Sequence, residues 1–385
     1  MITKPIHQTL SVLHFSIAAI FVAGIACFSA AAQDFKTVAD GVEHAQVRRE
    51  VAGKPVDINL LRLDLRKVRL DVHHANDTAI GTATTSSIAT KHRAIAAINA
   101  GFFRLDRSQF LGDAAGMLMI DGKFLSEAAN DRIQLIINNG PSKTDVLFGR
   151  TALTQTVKIA KETFVIAGTN RELKKNEVVI YTPEFGPNTL TGAADTVEFT
   201  IIKGNIVTTN DGLGNTAIPR NGYVLSASGT MRQMLIDAAK QERYVALTNT
   251  WRELPAEFEK SRGRLDIVTG VPQLVKNGLV DITWEREKSS KAFVETRHPR
   301  TAVARLKDGK FLMITVDGRT EASAGIGLND LAEYLISIGT IEAMNLDGGG
   351  STTMYLKGRI VNHPSDKEGE RKVSDAILVT PRGRK

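Results

Sequence analysis

Short turn dipeptides between apolar runs constrain the fold of this chain more than any other feature of its sequence. Asp121-Gly122, Asn277-Gly278 and Asp308-Gly309 each separate two apolar runs, and Lys203-Gly204 and Lys357-Gly358 are weaker examples of the same arrangement. Asp-Gly and Asn-Gly tolerate the positive φ values that two-residue hairpin turns need. Because hairpins join antiparallel neighbours, their repetition predicts a largely antiparallel β-sheet.

Helical patterns are fewer than strand patterns. The strongest covers 329–338, where apolar residues recur on one face and Asn329 or Asp330 is the expected N-cap. Weaker patterns cover 84–92 and 231–241. The sequence therefore predicts an α+β fold, largely antiparallel sheet with a few packed helices. We expect a single large domain over 33–385, with room for an inserted segment near 150–260.

Composition and charge exclude several classes of protein. Of the 385 residues, 42% are hydrophobic and 24% are charged, which is typical of a globular chain and not of a disordered or coiled-coil one. Lys and Arg number 49 against 42 Asp and Glu, giving a net charge of +7 that is not concentrated in one tail. We therefore expect no nucleic-acid partner, whereas an anionic substrate fits the basic surplus.

The first 32 residues have the three parts of a secretory signal peptide. Lys4 is followed by an apolar run over 10–28, and three alanines end at Ala32. We predict cleavage after Ala32, export to the periplasm or beyond, and no membrane span in the mature chain; an uncleaved N-terminal anchor is the alternative. The only cysteine, Cys27, lies in this segment. A mature chain without cysteine excludes disulfides and cysteine-ligated metals.

Two stretches bring polar or aromatic residues to the ends of predicted strands. An apolar strand runs into Asn99, Phe102 and Phe103; an amide can hold a sugar hydroxyl and an aromatic ring can stack on a sugar face. The alternative is that Asn99 forms a turn and both rings are core. A second strand starts at 297–301, where His298 and Arg300 could bind a phosphate or form a basic surface turn.

A hairpin should join this second stretch to a third. The strand over 311–316 ends at Asp317-Gly318-Arg319, which delivers an acid and a base. Because the 301–306 and 311–316 strands are predicted to pair antiparallel, 297–301 and 317–319 should share one sheet edge. A structural ion pair is the alternative interpretation.

The fourth stretch is a glycine run after an acid. Asp347 precedes Gly348, Gly349 and Gly350, and Ser351 and Thr352 follow, with apolar strands on both sides. Such a run predicts a nest of main-chain N–H groups for an anion. A flexible linker would be flanked by polar residues instead. Neither a nucleotide P-loop nor the nucleophile elbow of serine hydrolases matches, so Ser351 is not expected to be a nucleophile.

Together, the motifs over 99–103, 298–302, 317–319 and 345–354 resemble, in order, the signature of the phosphodiester glycosidase family. That family includes the lysosomal uncovering enzyme and exported bacterial proteins, some exopolysaccharide-related. The resemblance extends over about 80–380 and departs from the usual first motif at Ala100. It implies a catalytic domain that hydrolyses a sugar-1-phosphodiester and releases a sugar from a phosphorylated glycan or a wall or capsule polymer.

The resemblance also implies roles for the residues. Asp347 would be nucleophile or general base and Asp317 the second carboxylate, with His298 beside them. The groups expected to bind the substrate's phosphate or sugar are Arg300, Arg319, Gly348, Gly349, Asn99, Asn345, Phe102, Phe103, Ser351, Thr352, Glu370 and Arg371.

Two other classes of function stay open. One is a metal-dependent phosphodiesterase with Asp317, Asp347 and His298 as ligands, although the eight histidines are scattered. The other is a non-catalytic protein that binds polysaccharide or cell wall. No cofactor is expected for the glycosidase, and a divalent metal is left open.

Overall fold

The five tight turns lie where the sequence predicts them. Asp121 and Asn277 have φ values of 50° and 51°, and the glycine that follows each has a φ of 74° or 76°. Lys203 and Lys357 occupy the same left-handed region. Each of the five dipeptides joins two paired antiparallel strands. The prediction of a largely antiparallel α+β fold is confirmed.

The computed structural model describes residues 1–2 and 33–383, so the predicted signal peptide lies almost wholly outside the described residues. The α-helices of this part are α1 (Thr85–Lys91), α2 (Thr230–Gln241), α3 (Ala256–Glu259), α4 (Lys291–Glu295) and α5 (Leu328–Ser337), with 3₁₀ turns at Arg262–Arg264 and Gly349–Ser351. No helix among these residues is long and apolar enough to cross a membrane.

The strands follow one another closely along the chain. The first fourteen are β1 (Lys36–Ala39), β2 (Val42–Val51), β3 (Lys54–Leu63), β4 (Val68–His74), β5 (Ala83–Thr84), β6 (Ala96–Asn99), β7 (Leu118–Ile120), β8 (Lys123–Ser126), β9 (Gln134–Asn139), β10 (Thr144–Gly149), β11 (Ala152–Ile159), β12 (Glu162–Val165), β13 (Gly168–Thr169) and β14 (Val178–Tyr181). The others are β15 (Thr196–Ile202), β16 (Asn205–Asp211), β17 (Gly222–Ser228), β18 (Val245–Arg252), β19 (Leu265–Thr269), β20 (Gln273–Lys276), β21 (Leu279–Val280), β22 (Arg300–Leu306), β23 (Phe311–Val316), β24 (Thr340–Asn345), β25 (Met354–Leu356), β26 (Arg359–Ile360), β27 (Lys372–Val373) and β28 (Asp375–Pro381).

An eight-stranded sheet forms the base of the structure, in the order β1-β2-β3-β23-β22-β24-β20-β21. Successive side chains of a strand point to opposite faces. In β22, Ala302 and Ala304 therefore pack on the face covered by α5, while Val303 packs on the opposite face. This alternation decides which residues at the start of β22 can reach the candidate site.

A second sheet, β26-β25-β6-β28-β4, packs on the face that carries Val303. Its inward residues, among them Ile98, Ile377 and Met354, share one apolar core with Met313 and Met344 of the base sheet. A third sheet, β10-β9-β19-β7-β8, contributes Leu135 and other residues to the same core. Strands from distant parts of the chain thus end close together.

Residues 152–252 build two sheets of their own, β12-β11-β18 and β13-β14-β17-β15-β16, with α2 packed on the second. Their buried apolar residues form a separate cluster, which runs from Val157 to Val245. The strands before and after this segment, β10 and β19, belong to one common sheet with β9 between them. The sequence leaves room for an insertion at this place, and the domain boundary itself stays a prediction.

The predicted helices appear as α5, α1 and α2, but the cap expected for α5 is wrong. Gly327, not Asn329 or Asp330, is the N-cap, and no side chain caps the helix. A side chain at Gly327 would contact the carbonyl oxygens of Glu295 and Val294, so close packing against α4 favours glycine there. The short helices α3 and α4 were not predicted, because four or five residues contain too few turns for a periodic pattern.

Truncating the apolar face of α5 should destabilise the fold. Leu331→Ala removes a fully buried side chain in the core between α5 and the base sheet, so we expect a loss of about 3 kcal/mol in the free energy of unfolding. Leu279→Ala, at a side chain that is 70% exposed, is the matched control and should change stability by less than about 0.5 kcal/mol. Urea denaturation measures both; equal effects would contradict the packing described for α5.

Candidate active site

Asn99 joins the two main sheets at the point where the site forms. Its Oδ1 accepts hydrogen bonds from Thr301 Oγ1 at 2.8 Å and from the amide of Thr353 at 3.1 Å, and its Nδ2 donates to the carbonyl of Asp347 at 2.7 Å. The side chain has no exposed surface. The structure therefore corrects the expectation that Asn99 holds a sugar, since its amide positions Asp347 instead.

Asn345 is likewise a structural residue and not a sugar ligand. It is fully buried, and its Nδ2 donates to the carbonyls of Val271 at 2.7 Å and of Leu346 at 2.8 Å. Both amide hydrogens are thereby used. These bonds fix the end of β24 just before Asp347.

Asp347 itself is held by its main chain, and the residue as a whole is partly exposed. Its amide donates to the carbonyl of Ala100 at 2.9 Å, and its carbonyl accepts from Asn99. Burial raises the pKa of the Asp347 carboxyl to about 6, against the opposing influence of the Ser351 hydroxyl and the Arg371 guanidinium, and the nearby Asp375 adds to the rise. A carboxyl group with this pKa can exchange a proton near neutral pH.

The glycine run after Asp347 is a 3₁₀ turn, and the open anion nest predicted for it is not what forms. The amide of Gly349 donates to the carbonyl of Pro299 at 2.9 Å, and those of Ser351 and Thr352 donate back into the turn, each at 3.2 Å. Among residues 33–383, the Gly350 amide donates to no acceptor. Most main-chain N–H groups of the run therefore donate to carbonyl groups that stabilise the turn, and few are left for an anion.

The glycines are needed for another reason: close approach. A Cβ at Gly348 would lie 2.7 Å from the carbonyl oxygen of Pro299, and one at Gly349, where φ is +61°, would lie 2.9 Å from Nη2 of Arg319. A Cβ at Gly350 would clash with Nη2 of Arg371 and with a carboxylate oxygen of Asp366. Two guanidinium groups therefore lie directly on the turn.

These two arginines differ in their partners. Arg371 forms a bidentate ion pair with Asp366, through Nε at 2.7 Å and Nη2 at 3.0 Å. The exposed Arg319 has a φ of 64°, its Nη1 lies 3.4 Å from Ser365 Oγ, and it forms no ion pair within the part of the chain that the structure describes. Arg319 is thus a cation whose charge is available to a ligand.

Arg300, which the sequence assigns to a phosphate contact, points the other way. Its Nε donates to the carbonyl of Ile326 at 3.1 Å and its Nη2 to those of Phe293 and Thr296 at 2.8 Å, while the Phe293 ring lies 4.9 Å from the guanidinium carbon. The side chain is 1% exposed, and burial lowers its pKa to about 10. This correction follows from strand alternation: Arg300 shares the α5 face with Ala302, while Thr301 faces Asn99.

His298 and Asp317 lie at the same sheet edge, as the predicted hairpin requires, since Arg300 pairs with Val316. His298 is half-buried, and burial together with Arg300 and Arg319 lowers the pKa of its ring, which is therefore neutral at pH 7. Asp317 is buried, and its Oδ1 accepts from Asn362 Nδ2 at 3.2 Å and from the His363 amide at 3.0 Å. Burial raises the pKa of Asp317 despite these bonds.

The aromatic pair and Glu370 have mainly structural contacts. The half-buried Phe102 ring meets Phe293 edge-on at 6.1 Å between centroids, and Phe103 packs against the cluster that contains α1. Glu370, expected to contact substrate, instead accepts from the amide of Ser86 at 2.7 Å and from its hydroxyl at 2.5 Å. Both carboxylate oxygens are thereby used at the N-terminus of α1, where an acid is favourable.

Ser351 and Thr352 stay candidates for contact with a ligand. The Thr352 hydroxyl is buried and has no hydrogen-bond partner among the described residues, whereas the buried Ser351 hydroxyl lies close enough to the Asp347 carboxyl to lower its pKa. A buried hydroxyl without a partner costs about 1–3 kcal/mol, so a bound group that supplies one would be favoured.

Sequence reasoning missed Asp375, a fully buried acid behind Asp347. Its Oδ1 accepts from the Gly101 amide at 2.6 Å and its Oδ2 from Ser374 Oγ at 2.5 Å, and it raises the pKa of Asp347. Asp375 opens the apolar strand β28 outside any recognisable motif. An acid at the start of an otherwise buried strand is the only signal that could have found it.

The second half of the chain resembles a known family. Residues 195–380 match the sequence profile of the phosphodiester glycosidase family. This range contains the motifs over 298–302, 317–319 and 345–354, so the resemblance drawn from them is confirmed. Over 195–380 the chain is therefore similar to phosphodiester glycosidases.

Two enzymes with similar sequences support this resemblance. The N-acetylglucosamine-1-phosphodiester α-N-acetylglucosaminidase of Bos taurus is 35% identical over 111 residues, which is 26% of this chain and 21% of the relative. The enzyme of that name from Mus musculus is 29% identical over 170 residues, 42% of this chain and 32% of the relative. The matches thus span about a fifth to a third of these relatives. A crystal structure of a hypothetical protein from Synechocystis has the same fold, with a TM-score of 0.75, 24% identity, and coverage of 90% of this chain and 63% of that one.

The raised pKa of Asp347 should appear as a pH-dependent stability difference. Between about pH 4 and pH 6 the unfolded state loses the proton that the folded carboxyl keeps, so ionisation favours unfolding as the pH rises. Asp347→Asn should therefore gain stability over the wild type across that window, reaching at most about 3 kcal/mol above pH 6. Urea denaturation at several pH values measures it. A difference that is constant from pH 4 to pH 7.5, or one that the exposed-acid control Glu321→Gln reproduces, would contradict this assignment.

Proposed function

We propose that this chain is an exported glycosidase that hydrolyses a sugar-1-phosphodiester and releases the sugar from a phosphorylated glycan or a wall or capsule polymer. One observation carries the proposal: Asp347, a partly exposed residue with a raised pKa, lies at a glycine turn on which the Arg319 and Arg371 guanidiniums rest. The family match over 195–380 supports it. Export rests on the sequence of residues 1–32 alone.

The proposed reaction needs an acid–base group and an anion pocket side by side. The bond between the anomeric carbon and the phosphate oxygen breaks, and the phosphomonoester leaves with the electron pair. Such a leaving group is acidic, so it needs charge stabilisation more than protonation. A carboxylate on the other side of the sugar either attacks the anomeric carbon or takes a proton from the attacking water.

Asp347 suits the carboxylate role. With a pKa of about 6 it is ionised at neutral pH but keeps enough basicity to accept a proton. Its main chain is hydrogen-bonded to Ala100 and Asn99, which fixes the backbone from which the carboxyl group extends. Substrate binding therefore costs little conformational entropy at this residue. Asp375 behind it maintains the raised pKa without facing the substrate.

Arg319 and Arg371 suit the phosphate. Arg319 has no carboxylate partner among the described residues. Arg371 binds Asp366 through two parallel N–H groups, and a phosphate can accept hydrogen bonds from a guanidinium in the same way. The free amide of Gly350, the unpartnered Thr352 hydroxyl and the Ser351 hydroxyl lie at the same turn. A phosphodiester would therefore meet one unpaired cation and several neutral donors.

Removing the Asp347 carboxylate should abolish the proposed activity. Asp347→Asn keeps the shape of the side chain but can neither attack carbon nor accept a proton, so we expect kcat to fall by about 10³-fold. The assay is release of N-acetylglucosamine from its 1-phosphate methyl diester, chosen because the relatives are named for N-acetylglucosamine-1-phosphodiesters. The matched control is Asp308→Asn, an exposed acid in the β22–β23 turn, which should retain activity.

The same assay separates the competing functions. Wild-type turnover by a folded Asp347→Asn variant would refute the assigned role, and absence of turnover on every sugar-1-phosphodiester would favour a binding protein. In ¹⁸O-labelled water, label in the sugar supports glycosidase chemistry, whereas label in the phosphate supports a phosphodiesterase. In the described part of the chain, the ligand atoms of Asp317, Asp347 and His298 do not come within mutual reach of one cation, which counts against the metal-dependent alternative.

The unpaired charge of Arg319 should matter for the phosphate. Arg319→Ala is expected to lower kcat/KM for the diester by about 100-fold, because an unpaired cation next to the leaving group is lost. Arg319→Lys should recover part of the lost kcat/KM, because lysine restores the positive charge but not the planar guanidinium that binds phosphate through two N–H groups. Arg359→Ala, at an exposed arginine in the β25–β26 hairpin, is the control. Unchanged kinetics in Arg319→Ala would place the phosphate elsewhere.

A further inference from the structure

Three side chains away from the Asp347 site point their ligand atoms at one another. Nδ1 of His73, Oδ1 of Asp77 and Nε2 of His92 all lie within 4.8 Å of each other. Oδ1 of Asp77 is 3.0 Å from His92 Nε2 and 4.0 Å from His73 Nδ1. No other group of three such residues converges in this way within the described residues.

The fold builds this cluster from two elements. His73 is the next-to-last residue of β4, and Asp77 lies in the turn that follows, with a φ of 57° and its amide bonded to the carbonyl of His74. His92 is the C-cap of α1, held by its amide on the carbonyl of Ile88 at 3.2 Å. The rings of His73 and His92 stack with centroids 3.7 Å apart. Both nitrogens lie within 4.0 Å of Asp77 Oδ1.

The cluster opens onto a cavity of about 230 Å³. Asp121 and the ion pair between Lys123 and Glu184 line part of its wall, and His74, Ile120 and Leu125 line the rest. Lys91 binds the outer oxygen of Asp77, Oδ2, at 2.6 Å and leaves Oδ1 directed at the histidines. There is therefore space beside the three ligand atoms for a water molecule or a further oxygen ligand.

We infer that His73, Asp77 and His92 form a binding site for a divalent transition-metal cation, with zinc as the best match. Two imidazole nitrogens and one carboxylate oxygen are a common zinc set, and zinc binds them at about 2.0–2.1 Å. Ligands around a tetrahedral ion at that distance are roughly 3.3 Å apart. Asp77 Oδ1, at 3.0 and 4.0 Å from the two nitrogens, therefore needs little movement, whereas the stacked rings must separate so that both nitrogens point at one ion. The fourth position faces the cavity.

Such a cation would connect the end of β4 to the end of α1. The other end of α1 is held by Glu370, the neighbour of Arg371, so the helix links this site to the glycine turn. Each ring coordinates as neutral imidazole through its unprotonated nitrogen, so a proton leaves to solvent only from a ring that is cationic before binding. The metal is a structural clamp here, and this inference does not depend on the proposed glycosidase activity.

The test uses the full chain without an affinity tag, stripped with chelator and titrated with zinc chloride at pH 7.5. We expect one zinc per chain by calorimetry and a rise in Tm that grows with zinc concentration, because a ligand that binds only the folded state stabilises it. His73→Ala and His92→Gln should each weaken binding at least tenfold and remove the Tm rise. His363→Gln, at an exposed histidine outside the cluster, should bind as the wild type does.

Cobalt(II) gives a second readout that does not depend on stability. If the site is tetrahedral, cobalt should produce visible absorption bands that zinc then displaces and that His92→Gln lacks. Variants are compared by their Tm without metal, so that a folding defect is recognised. Absence of zinc binding by the wild type, or binding and cobalt spectra that survive in the His73→Ala, His92→Gln double variant, would overturn the inference.

Discussion

The hydrogen bonds of one buried amide set the geometry on which the rest of the site depends. Asn99, at the end of β6, accepts from Thr301 in the base sheet and from the main chain of Thr353, and it donates to Asp347. Each of these groups belongs to a different segment of the chain. Because a buried amide left unpaired is costly, the three segments are tied to one relative position. The positions of Asp347 and of the glycine turn are fixed by these bonds.

Electrostatics then give the site its chemical character. Burial and Asp375 raise the pKa of Asp347, whereas Ser351 and Arg371 lower it, and the balance lies near neutral pH. The arginines can rest on the turn only because Gly349 and Gly350 have no side chain. Glycines that the sequence suggests as an anion nest thus serve chiefly to admit guanidinium groups. Because the ionised Asp347 carboxyl is disfavoured in the folded state, it lowers the free energy of unfolding at neutral pH. Carboxyl groups with pKa values shifted in this way are typical of functional sites.

Much of the fold could be predicted because its signals are local. Asp121-Gly122 and Asn277-Gly278 adopt left-handed conformations that few other dipeptides tolerate, and the apolar stripe of α5 repeats within ten residues. The motif positions were predictable for the same reason. Side-chain direction was not: Arg300 and Arg319 look equally suited to a phosphate in the sequence. Only the tertiary structure places the carbonyl groups of Phe293 and Thr296, in and just after α4, where the Arg300 guanidinium donates to them.

By itself, the sequence determined the antiparallel class of the fold, the strand ends that carry polar residues, and the family resemblance over its motifs. The tertiary structure decided which of those residues lie at the glycine turn: Asp347, Arg319 and Arg371 are there, Asn345 and Glu370 are held in structural bonds, and Asp375 lies buried behind Asp347. The physical reason is that each of these choices depends on which strand, helix end or carbonyl group lies opposite a side chain. Residues far apart in the chain supply those partners, and no local pattern records them.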